Sequence, residues 1–505
     1  MGTRTCFLPT SCLSLALLAI LSAGSSAAAQ APPWGQALSF GGNGDDTASV
    51  IKVDRKSNKY VAGYFSGRVR FGNRILTSAG NADGFVMKFR SDGSFGWVAQ
   101  IGGSDYDQAF DIGFDGDENV YVSGSITGNV TFGSVDHVDT IVHTNGNSMF
   151  LAKYDASGDL LWVETGQGDS GGDNEGFGVA VNPASGVVYM TGRAQGSTRF
   201  SSVNGRTCTL ANGDGEWHAY LVKYDSHGNC QWLEQSAASG NSIAHKVAID
   251  SNNNAYLVGW FEGGLTFTSR NGHSLSVQGY SPGPGGYPYP DDGFVAKFNS
   301  HGDAEWINHV GGWKAIANDV AVNPLTGEVT LTGFMSNINS GDSRAVTLVS
   351  SQPPGTTVNL GGGDYTTDGF LVTYDRDGVV ESASRIGGPQ TDAGTGVAYD
   401  AQGNLYVSGE FAGAVDFGGI TLDGPAANNL FVLKFTGSTL DWAKMAPGGS
   451  DSNLENDARV AVNSATGKVF VAGPFEGSAI FGNTKLVSAG QQDIFYANIP
   501  ASPPD

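Results

Sequence analysis

The chain has 505 residues, 75 of them glycine, and a formal net charge of -22 at pH 7 from 27 basic and 49 acidic side chains. Nucleic acid and anionic membrane surfaces are excluded as partners, because phosphate contacts need a basic face and no lysine or arginine cluster exists. Abundant glycine with little charge suits short strands and turns better than helices.

The chain opens with Arg4, an apolar run over 13–21 and small residues over 23–29, which read as a secretory signal peptide (1–29) cleaved near Ala29 or Gln30. Cys6 and Cys12 would leave with it. Residues 30–500 are read as one domain and 501–505 as a short tail without an anchor. No later stretch is apolar enough to span a membrane, so the expected product is secreted, extracellular or at the cell surface, and monomeric.

From Trp34 onward one pattern recurs seven times, roughly W-x4-G-G-x3-D-x-A, then a β-branched stretch, a polar turn, and Y-V-x-G. Self-similarity at a period of roughly 60 to 75 residues outweighs local propensity. Trp34, Trp97, Trp162, Trp232 and Trp306 open successive copies, Ser382 takes the place in the sixth, and Trp442 opens the seventh. Each copy reads as four strands. The first is small and β-branched, as at Val50 or Val247, and the second runs to a glycine (Gly63, Gly124, Gly192, Gly259, Gly333, Gly409, Gly473). The third contains an aromatic (Phe85, Phe150, Tyr220, Phe294, Phe370, Phe431, Phe495), and the fourth carries the tryptophan. Four-stranded antiparallel sheets that cannot bury both faces alone can do so by radial stacking. The expected fold is all-β, a seven-bladed β-propeller of four-stranded antiparallel blades. Segment 34–40 supplies a fourth strand that the seventh copy lacks, so it is expected to close the last blade and remove free edges.

Cys208 and Cys230 remain in the mature chain and are either a disulfide or two buried thiols. Asn129-Val130-Thr131 is a glycosylation acceptor of consequence only in a eukaryotic secretory pathway.

The repeat resembles the secreted β-propeller repeat family of SBBP type. The matching residues are Gly102-Gly103 with Asp107, Gly387-Gly388 with Asp392, the run 400–409, and the Asp-Gly-Phe-Val-x-Lys segments at 83–88 and 292–297. The resemblance implies fold and export rather than a shared catalytic motif. Copies three to five depart from it, with Asn174, Ser242 and Ala315 at the acidic position. The turn-plus-tryptophan element at 154–162 is similar to the docking element of quinoprotein dehydrogenase propellers, which would imply a quinone cofactor and calcium. The adjacent cysteine pair of many such enzymes is absent, and the period differs.

Alternating strand direction puts the second-to-third and copy-to-copy connections on one face, where the long insertions 268–290 and 336–367 lie. An odd number of extra strands in the Val-Arg-Phe-Gly type segments would overturn this assignment. Trp217, Trp260 and Trp313 fall near that face, with Tyr280, Tyr287 and Tyr289 in an insertion. Aromatics beside polar loops suit a carbohydrate or a partner protein's extended segment, and otherwise cover the loops. Asp46, Asp107, Asp392 and Glu455 are candidate calcium ligands or acceptors for loop amides. His245, Lys246, Asp319 and Arg459, all on first strands, are the candidate channel set. Lys88, Lys153, Lys223, Lys297 and Lys434 recur on third strands, which suggests internal pairing with the stems covering apolar surface. The functional expectation is a non-catalytic binding or surface-interaction module with its ligand on the insertion face and no resident cofactor unless calcium binds. The alternative is a propeller enzyme, polysaccharide-cleaving or quinoprotein-like.

Overall fold

The structure is a computed structural model that describes residues 30–134, 139–168, 172–211, 214–279, 291–311, 314–336, 347–349, 357–360, 366–448 and 458–501. Among these residues the regular elements are all β-strands, joined almost entirely in antiparallel pairs. No helix among them is long and apolar enough to cross a membrane.

The third repeat shows the local logic. Glu175–Val181, Val188–Gln195, Trp217–Tyr224 and Cys230–Ala238 pair in that order as an antiparallel meander. The second-strand glycine is needed because the first strand crosses it closely. In the fourth repeat a Cβ on Gly259 would lie 1.9 Å from the Ile243 carbonyl oxygen. The first strand also carries a β-bulge that the repeat pattern does not announce. Register shifts fall at Ser49, Phe110, Phe177, His245, Asn318 and Thr395, the same position in six repeats. A bulge leaves one residue unpaired and re-aims its side chain.

The sheets differ from plain four-stranded blades in one respect. The second-to-third connection folds into a two-stranded hairpin, such as Gly264–Thr268 with Ser274–Gln278. Its first strand pairs with the fourth strand of the preceding repeat, at Ser236↔Phe267. The same happens at Gly166↔Phe200 and His309↔Val349. An outer edge that would otherwise be open is thereby covered, and neighbouring repeats are tied together. Two extra strands are an even number, so the third strand starts on the face where the second ended, as Gln195↔Trp217 shows.

Ala37–Phe40 pairs antiparallel with Thr484–Ile499, so the two ends of the chain share one sheet. The register corrects the place of Trp34. Ala37 faces Ala497, and Gln36 stands beside Asn498 where Trp97 faces Lys88 in the first repeat. Gln36 therefore occupies the repeat's tryptophan position. Trp34 lies two residues earlier, its ring edge-on to Phe481 and its Nε1 donating to the Met445 carbonyl at 3.0 Å.

The first strands pack side by side in chain order, from Asp46–Val53 and Gln108–Phe114 through Glu175–Val181, Ser242–Ile249, Lys314–Val322 and Ala393–Tyr399 to Arg459–Val462. The last of these packs against the first. The apolar core lies between adjacent sheets. Tyr60 and Trp97 of one repeat share a cluster with Ile112 and Phe150 of the next. The regular lysines and tryptophans stitch these interfaces. Lys88 Nζ and Trp97 Nε1 both donate to the Ala156 carbonyl in the next repeat's turn, at 2.8 and 3.2 Å. Lys223 and Trp232 converge likewise on Ser300, and Lys297 and Trp306 on Arg376. Each ammonium also stands over a second-strand tyrosine ring, at 5.2 Å for Lys88 over Tyr60.

Candidate ligand-binding site

Because the bulges turn one residue of each first strand inward, Ser49, Phe110, Phe177, His245 and Asn318 line a common cavity of about 450 Å³. Tyr64, Arg193 and Trp260, each directly after a second-strand glycine, form part of its wall. Trp217 and Asp291, which open third strands, form another part. The cavity thus lies on the face where second strands end and third strands begin.

Of the residues singled out from sequence, Trp217, Trp260, His245, Lys246 and Arg459 line this cavity together. Asp319 does not line it; its carboxylate accepts from the Val320 and Val397 amides. Trp313, Tyr280, Tyr287, Tyr289 and Glu455 lie outside the described residues.

The floor is ionic. Lys246 Nζ stands 3.2 Å from Asp111 Oδ2 and donates to the Phe110 and Phe177 carbonyls at 3.4 Å. Burial lowers the pKa of its ammonium, and Asp111 opposes that shift. His245 Nδ1 is 3.2 Å from the Ala317 carbonyl, and burial pushes this imidazole down to about 4, so it is neutral at pH 7. Arg459 donates to the Thr395 carbonyl, while its buried Nε has no hydrogen-bond partner.

The wall combines aromatic rings with ion pairs. Arg193 Nε lies 2.6 Å from Glu175 Oε2, and the guanidinium sits 4.2 Å from the Trp217 ring. Tyr64 and Tyr106 are paired at 5.2 Å, and Phe110 and Phe177 at 4.9 Å. The buried Trp217 Nε1 has no hydrogen-bond partner. Such a wall can stack a flat apolar face and donate to a polar group beside it. Sequence reasoning missed Tyr64, Tyr106, Phe177, Glu175 and Arg193. The signal that could have found Tyr64 and Arg193 is the position they share with Trp260.

The interblade acids lie apart from this cavity. Asp107 accepts from the Gly103 and Thr127 amides at 2.7 and 2.8 Å, and Asp46 and Asp392 repeat the arrangement with Gly42 and Ser66, and with Gly388 and Ala412. Asn174 holds the same place in the third repeat and accepts from Gln195 and Thr198. No group of three metal-ligating side chains converges among the described residues. Cys208 and Cys230 are joined in a disulfide with a Cα–Cα distance of 6.2 Å. Asn129 Oδ1 lies 2.6 Å from His143 Nδ1.

Residues 96–130 match the family model described as SBBP, a beta-propeller repeat. An uncharacterized WD repeat-containing protein, L264 of Acanthamoeba polyphaga mimivirus, is 25% identical over 212 residues, which are 38% of this chain and 15% of that protein. Among solved structures, quinohemoprotein alcohol dehydrogenase from Comamonas testosteroni is a distant likeness, with a TM-score of 0.34 and 11% identity over 94% of this chain and 77% of that one. The extracellular domain of a putative hybrid two component system from B. thetaiotaomicron gives 0.15 and 11%, over 92% and 84%.

Proposed function

We propose that this chain, a protein of the SBBP-type β-propeller repeat family, is an exported seven-bladed propeller that binds an anionic saccharide in the cavity at its centre. The cyclic packing of seven first strands and the pairing of Ala37–Phe40 with Thr484–Ile499 support seven blades. The apolar run at 13–21 supports removal of 1–29 as a signal peptide and release of 30–500 as the working domain.

The observation that carries the binding reading is the meeting of Trp217 and Trp260, from two repeats, with the first-strand residues His245, Lys246 and Arg459 in one cavity. Sugar rings stack on tryptophan and tyrosine faces, and Trp217 Nε1 is a donor without a partner. The charge of the ligand follows from Arg459. Lys246 and Arg193 are each matched by a carboxylate, whereas the hydrogen bond of Arg459 goes to a neutral carbonyl. A carboxylate-bearing sugar would complete that guanidinium within a chain that is otherwise strongly acidic.

Calorimetric titration of residues 30–505 with oligouronides and with neutral oligosaccharides of equal length tests this reading. Binding of the oligouronide, weakened at least tenfold by Trp217→Ala, Trp260→Ala and Arg459→Gln, is the expected result. Preference for acidic peptides over sugars, turnover of the saccharide, or affinity indifferent to all three substitutions would overturn it.

A further inference from the structure

The interface after the fifth repeat lacks the stitch found after the first, third and fourth repeats. Thr330, Thr373 and Ser382 stand where Tyr256, Lys297 and Trp306 stand in the repeat before it. All three members change together. Ser382 is exposed, whereas Trp97, Trp232, Trp306 and Trp442 are each at most 6% exposed. The facing turn, Gly437-Ser438 between Thr436 and Thr439, is one residue shorter than its counterparts. A cleft of about 560 Å³ occupies this place.

Its chemistry is that of a side-chain pair that three other interfaces supply internally. There an indole N–H and an ammonium converge on a single turn carbonyl, over an apolar floor. Here the floor remains, made of the buried Leu371, Leu405 and Leu433. The hydroxyls of Thr330, Thr373 and Tyr399 are linked at 2.8 and 2.6 Å along one wall. Glu328 and Glu381 stand together here, and a hydrogen bond with Glu328 raises the Glu381 carboxyl above its ordinary range. The fourth strands of the first four repeats pair with the next repeat, whereas Val380–Ile386, like Thr439–Pro447 and Ala37–Phe40, is the last strand of its sheet among the described residues. The sheets therefore stand open at this cleft.

We propose that the cleft between the fifth and sixth repeats binds a small aromatic amine of the indolylethylamine class, with the ring on the leucine floor and the ammonium between Glu328 and Glu381. Ring and ammonium replace from outside what tryptophan and lysine supply at the other interfaces.

Tryptamine is the probe, titrated calorimetrically into residues 30–505. Saturable binding is expected, with indole-3-acetate at least tenfold weaker because its charge is reversed. Ser382→Trp puts an indole back and should abolish binding while raising the unfolding midpoint. Glu328→Gln with Glu381→Gln leaves the floor intact and should weaken tryptamine at least tenfold; this variant serves should Ser382→Trp not fold. Trp217→Ala should leave the affinity unchanged, which separates this cleft from the central cavity. Absence of binding at millimolar tryptamine, equal affinity for indole-3-acetate, or affinity unaffected by the glutamate changes would overturn the proposal.

Discussion

Lys246 Nζ reaches Asp111 Oδ2 at 3.2 Å across an intervening strand, because that strand presents Gly178 between them. A Cβ on Gly178 would lie 2.9 Å from the Lys246 Cα, so the strands of the third and fourth repeats meet backbone to backbone. Both charged side chains are more than nine-tenths buried. Lys246→Met would leave the Asp111 charge in the interior without its cation, which costs on the order of 3 to 5 kcal/mol. The double variant with Asp111→Asn should recover a large part of that loss. Urea unfolding of the three proteins checks it, and a double variant no more stable than Lys246→Met would contradict the pairing.

Stability should rise as pH falls from 8 to 6.5. Burial pushes Asp46, Asp107 and Asp392 from an ordinary 3.8 up to about 7, against the lowering effect of the amides they accept from. The folded state thus holds protons that the unfolded state has released. The contribution of these acids is complete below 3.8 and lost as pH rises through about 7. His245 and His309, pushed down from 6.5 to about 4 by burial, act with the opposite sign, but only below 6.5. The window above 6.5 therefore reports on the buried acids, to which Glu234, also raised to about 7 by burial, adds with the same sign. Unfolding midpoints at pH 8 and 6.5, with Asp107→Asn for comparison, should show a smaller pH response in the variant.

The repeat frame was legible in the chain because its markers have single physical causes. A glycine recurs where the first strand crosses the second, and a tryptophan recurs where one sheet reaches the next repeat's turn. The bulge at Phe110, Phe177 and His245 was not legible. It needs no particular residue type, since its cause is the extra residue opposite the second strand. Trp34 misled for a related reason. A tryptophan two residues out of register looks the same in a list of spacings, and only the pairing of Ala37 with Ala497 gives the position to Gln36. The site residues Trp217 and Trp260 stood out as tryptophans outside the frame, while Arg193 and Glu175 carried no such mark.

The Cys208–Cys230 bond ties the third repeat's hairpin, which is paired with the second repeat, to the third repeat's own fourth strand. Closing a loop of this length restricts the unfolded chain by about 3 kcal/mol. Serine at both positions should lower stability by that order. Hydrogen exchange should accelerate first in Thr198–Phe200 and Cys208–Leu210, and uniform acceleration across the chain would argue against a local tie.

Trp306 and Trp442 hold equivalent positions with unequal partners. Trp306 Nε1 donates to the Arg376 carbonyl at 3.0 Å, whereas the buried Trp442 Nε1 has no hydrogen-bond partner. The cause is topological. The third and fourth strands of the seventh repeat come from opposite ends of the chain, so no turn joins them to offer a carbonyl. Lys434 turns instead to Asp441 at 2.8 Å. Phenylalanine at 442 removes a donor that is already unpaired, while phenylalanine at 306 removes a formed bond. Trp306→Phe should therefore be the more destabilising by about 1 kcal/mol, read as the difference between their urea midpoints.

Removal of residues 30–40 should make the protein associate beyond the state of the intact chain. Ala37–Phe40 is the strand that covers Thr484–Ile499, and without it the last sheet presents the amides and carbonyls of a long strand. Phe40 is buried in the same core as Phe89 and Ile494, so the deletion also uncovers apolar surface between the first and last repeats. Both consequences favour pairing with another chain. Light scattering coupled to size exclusion should show dimers or larger species for the deleted chain. A synthetic peptide of residues 30–40 should return it to the size of the intact chain, because the peptide restores the same four pairs. A deleted chain that keeps the size of the intact chain with an unchanged unfolding midpoint would mean that the pairing of Ala37 with Ala497 contributes nothing to closure of the last sheet.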